Sequence, residues 1–143
     1  MPKKNKSTAI TIFTILLILL LLSLFLYKYN CVEGFESSPK TFNSDVNGGK
    51  KLVWFYADWC GHCKNMADSW NKASSKVNKS NDNKMIKINV GEDDIEQKRI
   101  VEKYNIKGYP TILILQNGNI VSLYEGERDE SSLISYVNNN LIH

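Results

Sequence analysis

The apolar positions of this chain follow three patterns. A run without charges from Ser7 to Tyr27 is dominated by Ile and Leu, and about 20 such residues in a helix cover the hydrocarbon core of a membrane. Residues 52–57 are apolar at nearly every position, which is typical of a central strand covered on both faces. Residues 85–90 alternate between apolar and polar. After Cys60 the apolar residues recur at helical spacing, at Cys63, Met66, Ala67, Trp70, Ala73 and Val77.

The C-terminal part adds a hairpin between two helices. Residues 111–115 and 120–124 flank Asn117-Gly118, a strong hairpin signal. A helix is predicted to open after Gly91 and to reach about Tyr104, and a last helix begins near Asp129. The order strand-helix-strand-helix-strand-strand-helix predicts an α/β fold with a mixed sheet flanked by helices.

Charge divides the chain into a short basic N-terminus and a nearly neutral remainder. Three lysines precede the apolar run and only Lys28 follows it at once, so the positive-inside rule keeps the N-terminus cytoplasmic. We predict a cytoplasmic segment over 1–7, a transmembrane signal-anchor over 8–28, a tether over 29–40 and a domain over 41–143. That domain would face a lumen or the outside, where stable disulfides are permitted.

A cleaved signal peptide is the alternative for the apolar run, although no Ala-x-Ala-like site follows it. After residue 30 the 14 basic and 15 acidic residues give a formal charge of 14 − 15 = −1. This balance offers no footprint for nucleic acid.

The hexapeptide Trp59-Cys60-Gly61-His62-Cys63-Lys64 carries the chemistry. Two cysteines two residues apart can close and reopen a small disulfide ring. Cys60 lies at a predicted strand-to-helix turn, where the positive end of the helix dipole favours a thiolate. An inert structural bridge and half of a zinc site are the alternatives. Zinc needs two further ligands, and outside the motif only Cys31 and His143 are left among cysteines and histidines. We therefore predict neither a metal nor a cofactor.

This motif, together with Tyr109-Pro110-Thr111, resembles the thioredoxin superfamily and more narrowly the catalytic domain of protein disulfide isomerases. The resemblance covers about residues 41–141. It implies a thioredoxin-like mixed sheet and a Tyr109–Pro110 peptide bond in the cis form. It also implies that Cys60 attacks a client disulfide and that Cys63 resolves the mixed disulfide.

The resemblance assigns supporting roles as well. His62 would stabilise the thiolate of the reduced form, as in oxidases and isomerases, unless it is merely solvated. Trp59 would shield the thiolate and line a client-binding surface, or would only pack, and the other client-binding candidates are Gly61, Gly108, Tyr109 and Pro110. Gly108 would allow close approach of a client. Arg128 would swing toward Cys63 and lower its pKa, with surface solvation as the alternative.

Two departures from the family stand out. Trp54 occupies the position of a buried acid that usually moves protons for the second cysteine, and Asp68 replaces a usual proline. Lys87, the usual partner of that acid, is therefore expected to lack its mate. We hypothesise that clients dwell longer as mixed disulfides.

Two further features are weaker. Cys31, just after the apolar run, is interpreted as an unpaired thiol or as an intermolecular disulfide that makes a dimer. Asn78-Lys79-Ser80 is a glycosylation sequon, which matters only in a eukaryotic secretory lumen.

The sequence therefore predicts a membrane-anchored thiol-disulfide oxidoreductase that forms or rearranges disulfides in protein clients and is recharged by a redox partner. A tethered reductase and a non-catalytic client-binding or chaperone module are the alternatives.

Overall fold

The computed structural model describes residues 6–29, 34–78 and 82–141, and in the first helix it describes the side chains of 10–26. The chain divides into two compact units, Met1–Val32 and Glu33–His143. The helices are α1 (Lys6–Tyr29), α2 (Phe42–Asp45), α3 (Gly61–Val77), α4 (Ile95–Lys103) and α5 (Glu130–Asn140). The strands are β1 (Lys50–Tyr56), β2 (Met85–Asn89), β3 (Thr111–Gln116) and β4 (Asn119–Leu123).

The first unit contains α1, a helix of 24 residues. Its described apolar side chains are exposed. Within the described part of the chain, no helix combines the length and the apolar character required of a membrane span. The anchor predicted over 8–28 is thus not supported by the structure, although the segment is helical.

The second unit is built on a four-stranded sheet in the order β2-β1-β3-β4. β1 pairs with β2 in parallel and with β3 antiparallel, and β3 pairs with β4 antiparallel across the predicted hairpin. A parallel β1–β2 pair requires a crossover connection, and α3 provides it. The predicted element order and the mixed sheet are confirmed.

Each face of the sheet carries its own core. On one face, Trp54 packs with residues of α3 and α5, including Trp70, Leu133 and Val137. On the other, Phe55 packs with α2 and α4 through Phe42, Ile100 and Tyr104. Since β1 supplies both cores, its near-continuous apolar sequence is explained by burial on both sides.

The compact unit begins earlier than residue 41, the predicted start of the domain. The amide of Ser37 donates to the Lys87 carbonyl at 2.9 Å, and the Lys87 amide donates to the Phe35 carbonyl at 3.1 Å. Glu36 thereby forms a parallel bridge with Lys87 of β2. Residues 35–37 of the predicted tether therefore lie against the edge of the sheet. This segment is too short to show a strand-like alternation in the sequence.

Candidate active site

Cys60 lies in the connection between β1 and α3, directly before the first residue of α3. Its amide donates to the Ala57 carbonyl at 3.0 Å, and its own carbonyl accepts from the Lys64 amide at 3.2 Å. With φ −77° and ψ 112° it is the N-cap of α3. The Cys63 amide donates to the Cys60 sulfur at 3.1 Å. When the sulfur of a helix N-cap becomes a thiolate, this hydrogen bond and the positive end of the helix dipole stabilise its negative charge.

Cys60 and Cys63 form a disulfide, with their Cα atoms 5.3 Å apart. This distance lies in the ordinary range for disulfides. Cys60 is 6 % exposed and Cys63 is 2 % exposed. Cys60, at the start of the helix, is thus slightly more accessible than Cys63, and both residues belong to the core cluster that contains Met66 and Trp70.

Trp59 and Tyr109 form an aromatic pair beside the disulfide. Trp59 is 69 % exposed, yet its Nε1 donates to the Gly91 carbonyl at 2.9 Å. Its ring meets that of Tyr109 edge to face at 5.7 Å. The Tyr109 hydroxyl donates to the Val90 carbonyl at 2.8 Å, and burial raises the pKa of this hydroxyl. The exposed indole is therefore held in place by the chain that follows β2.

The Tyr109–Pro110 peptide bond is cis, as the resemblance implies. It directly precedes β3. Gly108 and Gly61 have open space where a Cβ would stand, so packing within the chain does not require glycine at either position. Their roles in client binding stay predictions.

Two predicted residues lie at the surface. His62 is exposed in the first turn of α3, next to both cysteines. Arg128 is exposed in the connection between β4 and α5. Among the described residues no contact joins Arg128 to Cys63, and the swing toward Cys63 stays a prediction.

Lys87 has a partner that sequence reasoning missed. Its Nζ lies 3.3 Å from Glu36 Oε2, and the Tyr56 hydroxyl donates to Glu36 Oε1 at 2.5 Å. Lys87 thus lacks its usual mate at position 54 but has another one, because a carboxylate comes from the segment before β1. Glu36 lies in a stretch with no clear periodicity, so no sequence signal pointed to it.

A cavity of about 160 Å³ is lined in part by Cys63. Its wall is formed by four aromatic or aliphatic residues, one cysteine and three charged residues. These are Trp54, Tyr56, Ala57, Asp58, Cys63, Lys64, Ala67 and Lys87. Trp54 is 2 % exposed, and its indole nitrogen has no hydrogen-bond partner within the described structure.

Asp58 is the cavity residue that the sequence analysis overlooked. Asn89 Nδ2 donates to Asp58 Oδ2 at 2.8 Å, and Asn89 Oδ1 accepts from the Gly91 amide at 3.1 Å. Asp58 stands directly before the hexapeptide that begins at Trp59, and this position is the signal that the sequence offered. No cluster of three or more His, Cys, Asp or Glu residues suited to a metal occurs in the described ranges.

The sequence model of the thioredoxin family matches residues 34–139. The chain belongs to the thioredoxin family. Its relatives include the probable protein disulfide-isomerase ER-60 of Schistosoma mansoni, 34 % identical over 117 residues, which are 80 % of this chain and 23 % of that protein. Protein disulfide-isomerase 1 of Dictyostelium discoideum is 35 % identical over 104 residues, 72 % of this chain and 28 % of the relative. The chain thus spans about a quarter of the length of these thioredoxin-family relatives.

Solved structures agree on the thioredoxin fold. Human ERp44 in its form I superposes with a TM-score of 0.62 at 26 % identity, over 75 % of this chain and 29 % of that one. The J-Trx1 fragment of ERdj5 gives a TM-score of 0.62 at 23 % identity, over 75 % of this chain and 51 % of the fragment. The second likeness shows the fold alone.

Proposed function

We propose that this protein is a thiol-disulfide oxidoreductase that forms or rearranges disulfides in protein clients. The observation that carries the proposal is the Cys60–Cys63 disulfide at the N-terminus of α3, where Cys60 is the helix N-cap and the more exposed residue of the two. The relatives named as protein disulfide isomerases, all with larger chains, support the same chemistry.

In the oxidising direction, a client thiolate attacks Cys60 Sγ and the Cys60–Cys63 bond breaks, which leaves Cys63 as the thiolate. A second client thiolate then attacks the client sulfur of the mixed disulfide and releases Cys60 as a thiolate. The client gains one disulfide and the protein takes up two electrons, so a separate thiol oxidant must restore its disulfide. The helix N-terminus and the Cys63 amide favour the thiolate of Cys60 in the reduced form.

The exposed Trp59, the partly buried Tyr109 and the cis Tyr109–Pro110 peptide supply the surface on which a client would lie. An extended client segment pairing with the backbone at Tyr109 would use main-chain hydrogen bonds and would thus accept many sequences. Such tolerance suits an enzyme for protein clients in general.

The test of catalysis is trapping of mixed disulfides. The whole chain, with Cys31 replaced by Ser, is incubated with a reduced and unfolded disulfide protein under oxidising glutathione. Cys63→Ala should accumulate a client-linked species that a reductant releases, whereas Cys60→Ala should not. If neither variant is linked to a client and Cys60→Ala keeps full biological activity, the protein is a client-binding module instead.

The direction of electron flow follows from the glutathione redox equilibrium. A potential near about −180 mV, typical of the isomerases, supports disulfide formation or shuffling, whereas about −270 mV would make the protein a reductase. His62→Pro tests the proposed role of His62, and we expect it to make the potential more negative.

The proposal includes a membrane anchor in α1, with the catalytic domain on the non-cytoplasmic side. It is supported by the uncharged run and by the described apolar side chains of α1, which are 45–68 % exposed. Large exposed apolar surfaces mark membrane or protein contacts. The chain should stay with membranes during alkaline carbonate extraction, and Leu19→Lys with Leu22→Lys should release it. Release of the unchanged chain would rule the anchor out.

Cys31 lies outside the described residues, and the proposed dimer stays a prediction. A Cys31→Ser variant should lose any disulfide-linked dimer seen on a non-reducing gel. The identity of the redox partner is likewise part of the proposal, as a thiol oxidant in the same compartment.

A further inference from the structure

We propose that Asp58 accepts the proton of Cys63, through water in the cavity that both residues line, when Cys63 resolves a mixed disulfide. This inference deepens the proposed function and rests on it. In the resemblance described above, a buried acid at the position of Trp54 moves the proton of the second cysteine. Trp54 has no carboxylate, and the inference assigns this task to Asp58.

Asp58 and Cys63 line the same cavity of about 160 Å³. One water molecule takes up about 30 Å³ in the liquid, so the cavity has room for a short water path. Three residues with polar side-chain groups, Tyr56, Lys64 and Lys87, also line the cavity. A proton can therefore pass from the Cys63 sulfur to the Asp58 carboxylate without direct contact between them.

The ionisable groups around the cavity leave Asp58 as the best acceptor. Glu36 is not part of its wall, and both of its oxygens are engaged, one by Lys87 and one by the Tyr56 hydroxyl. Glu92 shares a different hollow with Glu36. Lys64 and Lys87 are cations and accept no proton in their charged form.

Asp58 is held in place without being neutralised. Asn89 donates to its Oδ2 at 2.8 Å, and Asn89 is itself fixed by the Gly91 amide. No ion pair of Asp58 occurs within the described residues. The carboxylate thus keeps its second oxygen with which to accept a proton. The hydrogen bond from the Asn89 side chain fixes the position of the carboxylate.

The step balances as follows. The Cys63 thiol gives its proton to cavity water, and water passes a proton to Asp58. The Cys63 thiolate attacks Cys60 Sγ, the Cys60–Cys63 bond forms, and the bond between Cys60 and the client sulfur breaks. The client leaves with that electron pair as a thiolate. Asp58 then loses its proton to solvent, which its exposed position allows.

The experiment follows both steps with the aromatic disulfide dithiobisnitrobenzoate, added to the reduced whole chain carrying Cys31→Ser. Attack by Cys60 releases one nitrothiobenzoate, and resolution by Cys63 releases the second, so stopped-flow absorbance separates the two rates. Asp58→Asn should slow the second phase about tenfold or more at neutral pH, since positioned proton transfer contributes at least that much. The first phase should change far less.

The pH profile separates proton transfer from a structural effect. Raising the pH ionises the Cys63 thiol without help, so the difference between Asp58→Asn and the parent should shrink as the pH rises. Asp58→Glu should restore part of the rate. The matched control is Asp68→Asn, an exposed carboxylate on α3 that pairs with Lys72 at 2.7 Å and does not line the cavity; it should leave both phases unchanged.

Several outcomes would overturn the inference while leaving the proposed function intact. One is a normal second phase in Asp58→Asn, and another is a loss that stays constant at all pH values. A loss found in Glu36→Gln but not in Asp58→Asn would assign the proton to Glu36. If the first phase is absent from the parent chain, the failure lies with the proposed function itself.

Discussion

Lys87 Nζ lies 3.3 Å from Glu36 Oε2, and this ion pair joins the segment before β1 to the edge strand β2. The lysine side chain is 10 % exposed, whereas that of Glu36 is 42 % exposed. Because the lysine side chain is largely buried, loss of this carboxylate should be more costly than the loss of one partner in a fully exposed ion pair.

We therefore expect Glu36→Gln to destabilise the domain. The loss should be about 1 kcal/mol, at the upper end for an exposed pair, because one partner is largely buried. Urea unfolding measures it. Glu125→Gln, a change of the same kind at an exposed site outside this network, should shift the midpoint very little. Equal stability of the two variants would mean that the ion pair contributes nothing measurable.

Gly91 is the tightest glycine next to the active site. A Cβ there would lie 2.1 Å from the Ala57 Cβ and 2.8 Å from its Cα. Gly91→Ala must push the loop after β2 away from the loop that carries Ala57, Trp59 and Cys60. We therefore expect the free energy of unfolding to fall by about 1–3 kcal/mol. The Trp59 fluorescence should change as well, because its hydrogen bond ends on the Gly91 carbonyl.

Gly108→Ala is the matched control, since a Cβ there would contact nothing within 4 Å. Its stability in urea should equal that of the parent. If Gly108→Ala nevertheless weakens mixed-disulfide formation with a protein client, the predicted approach of the client over Gly108 gains support. Equal stability of Gly91→Ala and Gly108→Ala would contradict the close packing at Gly91.

The sequence was sufficient for the elements whose burial gives a clear period. β1 is apolar from Leu52 onward because both faces are covered, and α3 shows its buried stripe in Met66, Trp70 and Val77. The two cysteines and the cis proline were identified because both motifs are short and local. These features depend on residues close together in the chain, which is why they could be predicted.

The rest of the site depends on contacts between distant segments. Glu36 reaches Lys87 across 51 positions of sequence, as their numbers show, and no local pattern encodes that approach. Asp58 becomes relevant only because α3 and β2 enclose a cavity with it. Residues 35–37 likewise bond to β2 without an apolar–polar alternation of their own that could have indicated it.

Burial raises the pKa of the Tyr109 hydroxyl above its ordinary value of about 10. The folded state then holds this proton more tightly than the unfolded state. The contribution of the protonated Tyr109 hydroxyl to the free energy of unfolding is fully present below the pKa of this group in the unfolded state. It is lost as the pH rises through the pKa of this group in the folded state. The domain should therefore lose stability above about pH 10, and Tyr109→Phe should show a shallower loss over the same range.

Equilibrium unfolding at several alkaline pH values tests this, with the difference between parent and Tyr109→Phe plotted against pH so that other titrating groups cancel. At neutral pH the variant should be less stable by about 1 kcal/mol, because the bond to the Val90 carbonyl is gone. Tyr136→Phe, whose ring packs on Tyr124 away from this loop, serves as a control. A constant difference at all pH values would argue against the raised pKa.

Asn78 belongs to a sequon in sequence, but its side chain already has a structural task. Nδ2 donates to the Met85 carbonyl at 2.7 Å, and Oδ1 accepts from the Met85 amide at 2.8 Å. This pair of bonds connects the end of α3 to the start of β2. Asn78→Ala should cost about 2 kcal/mol, since two partly buried backbone groups lose their partner. Asn119→Ala, where the side chain makes one exposed bond of 3.3 Å, should cost much less in the same urea titration. If the two variants are equally stable, the hydrogen bonds to Met85 do not stabilise the connection between α3 and β2. Loss of these bonds would then not oppose glycosylation of Asn78.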